Sequence, residues 1–216
     1  FFLYSSYGKS IMKKKLSRKE RERLQHKREI MDAALRLFSE KDYHNVSMKE
    51  IAKEAEFSVG TLYKFFKSKE ELYKSLIYEV SDKFHSLLIK TIEREGDEIE
   101  RLKSYLKKKG EIFKENLAII KLYFAETKGA SFSVIAGLEK ELRERYHDFL
   151  QRLSRLFEEG IRKGVFEEIA DPFYLAVAID NVSNSLLFLW LEDPEKYVYP
   201  EPELVLKIFF KALLKE

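Results

Sequence analysis

The chain has 216 residues, 45% hydrophobic and 36% charged, with 40 Lys and Arg against 37 Asp and Glu for a net charge of +3. That is enough apolar material for one large domain or two small ones, and the absence of cysteine excludes disulfides and thiolate metal sites. The most apolar window, 173–191, is interrupted by Asp180, Asn181 and Asn184, and residues 1–11 lack the basic start and long apolar run of a signal peptide, so a cytoplasmic protein without a membrane span is expected.

Positive charge is concentrated at the front. Lys13, Lys14, Lys15, Arg18, Lys19, Arg21, Arg23, Lys27 and Arg28 face only Glu20 and Glu22 over the same stretch, leaving the remainder near neutral. Residues 1–17 read as a flexible basic leader. The many Lys and Glu beside only Gln25 and Gln151 give the balance expected of a thermophile protein.

From about Arg18 the pattern turns helical. Ile30, Ala33, Ala34, Leu37 and Phe38 recur with the spacing of one buried helix face, and Asp42 is placed to end that helix. Ser47-Met48-Lys49-Glu50 is a capping box that starts a short helix with Ile51, Ala52 and Ala55 on its apolar side. After Glu56 and Phe57, Ser58 caps the next short helix, in which Leu62 and Phe66 lie four apart. A further box, Ser68 to Glu71, opens a long helix carried to about Arg94 by Leu72, Leu76, Val80, Phe84 and Leu87 or Leu88. Two short capped helices joined by a tight turn describe a helix-turn-helix.

Beyond Gly96, helices are expected at 97–115, 117–127, 136–163, 172–191 and 202–215, with Gly129, Gly137, Gly164 and Pro172 as breaks. No stretch alternates with period two for long enough to form a strand. The expected fold is all-α with about nine helices: a three-helix helix-turn-helix domain over 18–70 and a larger helical domain over 71–216.

The physics of the second short helix favours a polyanion. Helix N-termini present free N–H groups and a positive dipole, and three of them, at Ser47, Ser58 and Ser68, fall close together. Gly60 removes a side chain where a close approach is needed, and Thr61, Tyr63 and Lys64 can reach phosphates or base edges while Leu62 and Phe66 anchor the helix behind.

Val46-Ser47-Met48-Lys49-Glu50-Ile51-Ala52, then Phe57-Ser58-Val59-Gly60-Thr61-Leu62-Tyr63 and Phe66-Lys67-Ser68-Lys69-Glu70-Glu71-Leu72, resembles the TetR/AcrR family of one-component bacterial regulators. The resemblance covers about 27–75. It implies that the first domain binds DNA and the second binds an effector and dimerises, in a homodimeric repressor on a palindromic operator, released when the effector binds. It also implies phosphate contacts from Ser47, Thr61, Tyr63 and Lys69, with Lys49, Val59, Gly60, Lys64 and Phe65 at or beside the base edges and Ser58 at the cap. Two departures stand out: Glu56 and Asp42 occupy positions where the family commonly has Gly, and Phe65 stands where Tyr or His is frequent.

In the second domain the aromatics are dense, as suits an apolar cavity between helices. Ligand candidates are Tyr105, Phe113, Tyr123, Glu126, Phe149, Asp180, Asn181 and Asn184. A buried carboxylate would favour a cationic ligand and the Asn pair a neutral polar one, within an effector that is otherwise small and largely apolar or aromatic. The last two helices are apolar around much of their circumference, which points to burial against a second copy of the chain. No cofactor or metal is expected. The four histidines have no ligand spacing and no phosphate-binding or nucleophile motif occurs, so an enzyme is not expected. A helical protein–protein adaptor without specific DNA binding is the alternative.

Overall fold

The computed structural model describes residues 17–117, 120 and 132–210, with backbone alone for 132–139. Among these residues it is all-α: α1 Arg18–Lys41, α2 Met48–Glu54, α3 Val59–Phe65, α4 Lys69–Ile92, α5 Glu98–Glu115, α6 Phe132–Arg162, α7 Pro172–Glu192 and α8 Pro202–Phe210. The helix expected at 117–127 lies mostly outside the described residues, as does the end of the helix expected at 202–215. Helix α1 starts at Arg18, where the pattern was expected to turn helical, and is capped by Ser17. Its side chain accepts from Glu20 N at 3.2 Å while Glu20 accepts from Ser17 N at 2.7 Å. Helix α6 runs through Gly137, which was expected to break it; one interior Gly costs only about 1 kcal/mol against Ala, and a long helix absorbs that.

The chain divides into two compact units, the first ending at Leu76 and the second beginning at Ile77, within α4. The core of the first unit is built from Ile30, Ala33, Ala34 and Phe38 of α1, Ile51 and Ala52 of α2, Leu62 of α3 with Phe66 at its end, and Leu72 and Tyr73 of α4, all essentially without solvent contact. The small residues on α1 and α2 let those helices approach closely. Phe38, Tyr43 and Tyr73 form an aromatic cluster with centroids 4.7–5.6 Å apart that fixes the α1–α2 loop.

In the second unit α7 buries Leu175, Ala176, Ile179, Asp180, Ser183, Leu187 and Leu191 on one stripe, against α5, α6 and α8. The expectation that this helix is buried on several sides is not met within one chain. Tyr174 and Leu189 on the opposite face are 68% and 38% exposed, and Asn181 is exposed with them. By length and composition alone α7 could cross a membrane, but its Asp180 is enclosed by polar partners from α5 and α6, which identifies a protein-core helix. Arg101 of α5 ties the end of α4 to α6: its Nε donates to Ile92 O at 2.8 Å and its Nη1 to Glu159 at 2.7 Å. Lys163 bridges Glu159 and the buried Glu98 at 2.8 and 2.7 Å.

Candidate functional site

The helix-turn-helix is held by its caps. Glu50 N donates to Ser47 Oγ at 3.2 Å, and the Glu50 carboxylate accepts from Ser47 N and Ser47 Oγ at 2.9 and 2.7 Å. Those bonds, with Lys41 beside them, hold the Glu50 carboxyl down to about 2. Thr61 N donates to Ser58 Oγ at 3.1 Å, and the two hydroxyls are 2.8 Å apart. At Ser68 the box differs from expectation: Ser68 Oγ accepts from Glu71 N, whereas Glu71 accepts from Lys67 N, at 2.7 Å. The turn is made with Glu56 at φ 60°, and Asp42 closes α1 at φ 63°. Both positions that depart from the family pattern therefore take the left-handed backbone that favours glycine.

These constraints leave Val59, Gly60, Tyr63 and Lys64 exposed on one side of α3, with Tyr63 49% accessible and Leu62 and Phe66 buried on the other. Lys49 of α2 is exposed as well. A short helix that is rigidly backed and free on one face, carrying a phenol, an ammonium and a side-chain-free approach point, is suited to lie in a groove of duplex DNA. Phe65 is different. It is half-buried on the flank of α3, edge-on to His26 of α1 at 6.4 Å, and His26 also meets Phe57 at 5.0 Å. Lys69 is also engaged inside the protein. Its ammonium donates to Tyr43 O and Val46 O, each at 2.8 Å, and lies 4.3 Å from the Tyr43 ring centre. Burial lowers its pKa, opposed by the charge of Glu50.

The second unit holds a buried polar cluster. Asp180 of α7 accepts from Lys109 Nζ at 2.5 Å and Tyr105 OH at 2.6 Å on one oxygen, and from Tyr146 OH at 2.6 Å and Asn184 Nδ2 at 3.0 Å on the other. Lys109 also donates to Ser183 Oγ at 2.8 Å. Burial pushes the Asp180 carboxyl up, but the Lys109 charge and the converging donors outweigh it and hold the group below its ordinary range. Burial pulls the Lys109 ammonium down, with Asp180 opposing; four donors on one carboxylate decide for the ionised pair. Beside the cluster, His85 of α4 stacks on Phe149 at 5.1 Å, and burial lowers it to about 4.

Residues 30–76 match the model of the bacterial regulatory proteins of the tetR family. A fatty acid metabolism regulator protein of Bacillus subtilis is 28% identical over 180 residues, which are 78% of this chain and 85% of that one. The transcriptional regulator FadR from Bacillus subtilis, solved in complex with stearoyl-CoA, has the same fold, with a TM-score of 0.73 at 23% identity over 87% of this chain and 99% of that one. So has the fatty acid degradation regulator FadR from Bacillus halodurans, with a TM-score of 0.74 at 21% identity over 88% and 97%. Residues 30–76 are a tetR-family DNA-binding segment, and the chain as a whole resembles TetR/AcrR transcriptional regulators.

This protein is a DNA-binding transcriptional regulator and not an enzyme. Of the ligand candidates read from its sequence, the structure brings Tyr105, Asp180 and Asn184 into one cluster, with Phe149 alongside. Phe113 pairs instead with Phe188, at 5.5 Å. Asn181 is exposed and returns its amide to Val177 O of its own helix. Tyr123 and Glu126 lie outside the described residues. Sequence reasoning missed Lys109, Tyr146, Ser183 and His85. Lys109 is one of a run of lysines, Lys107 to Lys109, and only its helical phase, four residues after Tyr105, sets it apart.

Proposed function

We propose that this protein is a dimeric repressor of the TetR type, acting in the cytoplasm on a palindromic operator and released by a small, largely apolar effector. The exposed face of α3 carries the DNA half of this reading: Gly60, Tyr63 and Lys64 are free, while the caps at Ser47 and Ser58 and the buried Leu62 fix the helix beneath them. In this reading Val59 and Lys64 meet the groove, Lys49 and Thr61 its walls, and Lys69 supports the interface through the α1–α2 loop. A two-fold dimer through α7 and α8 would cover Tyr174, Leu189, Leu204, Ile208 and Phe210, which are 38–68% exposed in one chain. Such a dimer presents its reading helices about one DNA turn, ~34–36 Å, apart.

For the effector, the saturated Asp180 argues against a cation, because Lys109 already supplies the positive charge. The Bacillus subtilis FadR bound to stearoyl-CoA supports a long acyl chain as the apolar group that the site takes. Repression is relieved only if that ligand binds the two states of the protein with different affinity.

The test is to select an operator from a random duplex pool, then titrate stearoyl-CoA into the complex. A recovered palindrome, released by stearoyl-CoA and not by coenzyme A alone, is the expected result. Binding that lacks sequence preference and is carried only by protein partners would overturn the reading in favour of the adaptor. A palindrome that stearoyl-CoA leaves bound would overturn the effector class alone.

A further inference from the structure

Helix α1 begins well before it is needed. Its first buried residue is Ile30, and every residue from Arg18 to Glu29 is exposed or half-exposed. A helical segment of that length gains little from packing and is marginal on its own. It is stabilised here by local devices: the Ser17–Glu20 box, Arg18 to Glu22 at 2.8 Å and Gln25 to Glu29 at 3.0 Å. These devices also engage Glu20 and Glu22, and they leave Lys19 and Arg23 without a carboxylate partner among the described residues. The match to the tetR-family model starts at residue 30, so the extension lies outside it.

Helical phase puts Lys19 and Arg23 on one side, with Arg28 on the opposite side. At about 100° per residue, Lys19, Arg23, His26 and Ile30 fall within an arc of about 60°. That stripe continues the core face of α1 beyond the core, and its position is fixed by His26. The imidazole lies 5.0 Å from Phe57, in the turn that leads into α3, and 6.4 Å from Phe65, on the flank of α3. One residue on, Lys27 Nζ sits 5.7 Å from the Phe66 ring centre. The stripe therefore runs outward from the flank of the reading helix, with Arg23 about 4.5 Å and Lys19 about 10 Å further along the axis than His26.

Resting on the DNA-binding reading above, we propose that Lys19 and Arg23 form a second contact surface that grips the phosphodiester backbone flanking the half-site read by α3. The surface is continuous with α3 through His26 and complementary in charge to its partner. Being directed at phosphate, it adds affinity on any duplex and no base preference.

The experiment uses the full chain with Lys19→Gln and Arg23→Gln together, since Gln keeps helix propensity. Lys90→Gln with Lys107→Gln is the control: both are exposed lysines of the second unit and the charge change is comparable. Affinity is measured against salt on the selected operator and on a mixed-sequence duplex, with helicity checked by circular dichroism. The expected result is weaker binding on both duplexes and a log–log salt slope shallower by about 1.8 per protomer, about 0.9 for each phosphate no longer neutralised. The pair Lys19→Arg with Arg23→Lys should restore the slope. A slope equal to the control's would overturn the proposal, as would weakening confined to the operator. If the unaltered protein binds neither duplex, the DNA-binding reading fails first, and the two failures are told apart.

Discussion

Lys109 Nζ of α5 and Asp180 Oδ1 of α7 lie 2.5 Å apart, with both side chains at most 5% exposed, and the pair organises the interior of the second unit. Tyr105, Tyr146, Ser183 and Asn184 complete it, so three helices meet on one carboxylate.

Breaking this pair from one side leaves a buried charge. Lys109→Met or Asp180→Asn should each cost roughly 3–5 kcal/mol of unfolding free energy, read from urea titrations, whereas Lys109→Met with Asp180→Leu should cost less than the sum. Asp180 has a folded pKa below its unfolded one. Its contribution is therefore present above about pH 4 and lost as pH falls through the folded value.

His85 should confer a separate acid sensitivity. Burial chiefly lowers it from 6.5 to about 4, so the folded protein binds fewer protons than the unfolded chain between those values. Stability from neutral His85 is fully present above pH 6.5 and declines as pH falls towards 4, by roughly 3 kcal/mol in all. Comparing unfolding free energies of the natural protein and His85→Phe across this window should show the dependence only in the former.

The two strained turns give stabilising substitutions. Asp42 stands at φ 63°, ψ 159° and Glu56 at φ 60°. Glycine removes a penalty of about 1–2 kcal/mol at such a site and returns about 0.5–1 kcal/mol in chain entropy. Asp42→Gly and Glu56→Gly should each raise the unfolding free energy by up to about 1 kcal/mol, seen as a higher Tm.

Lys69 and Tyr63 should separate support from contact. Lys69→Met removes donors from Tyr43 O and Val46 O and should cost about 1–3 kcal/mol of stability as well as DNA affinity. Tyr63→Ala, at a side chain 49% exposed, should weaken DNA binding with stability unchanged to within about 0.5 kcal/mol. Equal stability loss in both variants would show that Tyr63 is structural.

Much of the first unit was legible because its signals are local. The Ser47–Glu50 box, the Ser58 cap and the spacing of Leu62 and Phe66 each act within one helical turn, and the structure has each of them. Glu56 and Asp42 declared their unusual backbone by standing where the resembling family commonly has Gly. The start of α1 near Arg18 was legible in the same way, and the Ser17–Glu20 box that caps it is another signal of this local kind.

The second unit was less legible, for a physical reason. Helical periodicity identifies α5, α6 and α7, but not which of their polar residues meet. Lys109 and Asp180 are 71 positions apart, and a lysine in a charged run looks like solvated surface until another helix covers it. The sequence by itself determined an all-α chain with a capped reading helix, because capping and periodicity are short-range. Only the tertiary structure decided that Asp180 already has its cation, that Lys69 serves the α1–α2 loop, and that His26 of α1 rests against Phe57 and Phe65. Each of these depends on which helix faces lie against one another, and that is set by packing between segments distant in the chain.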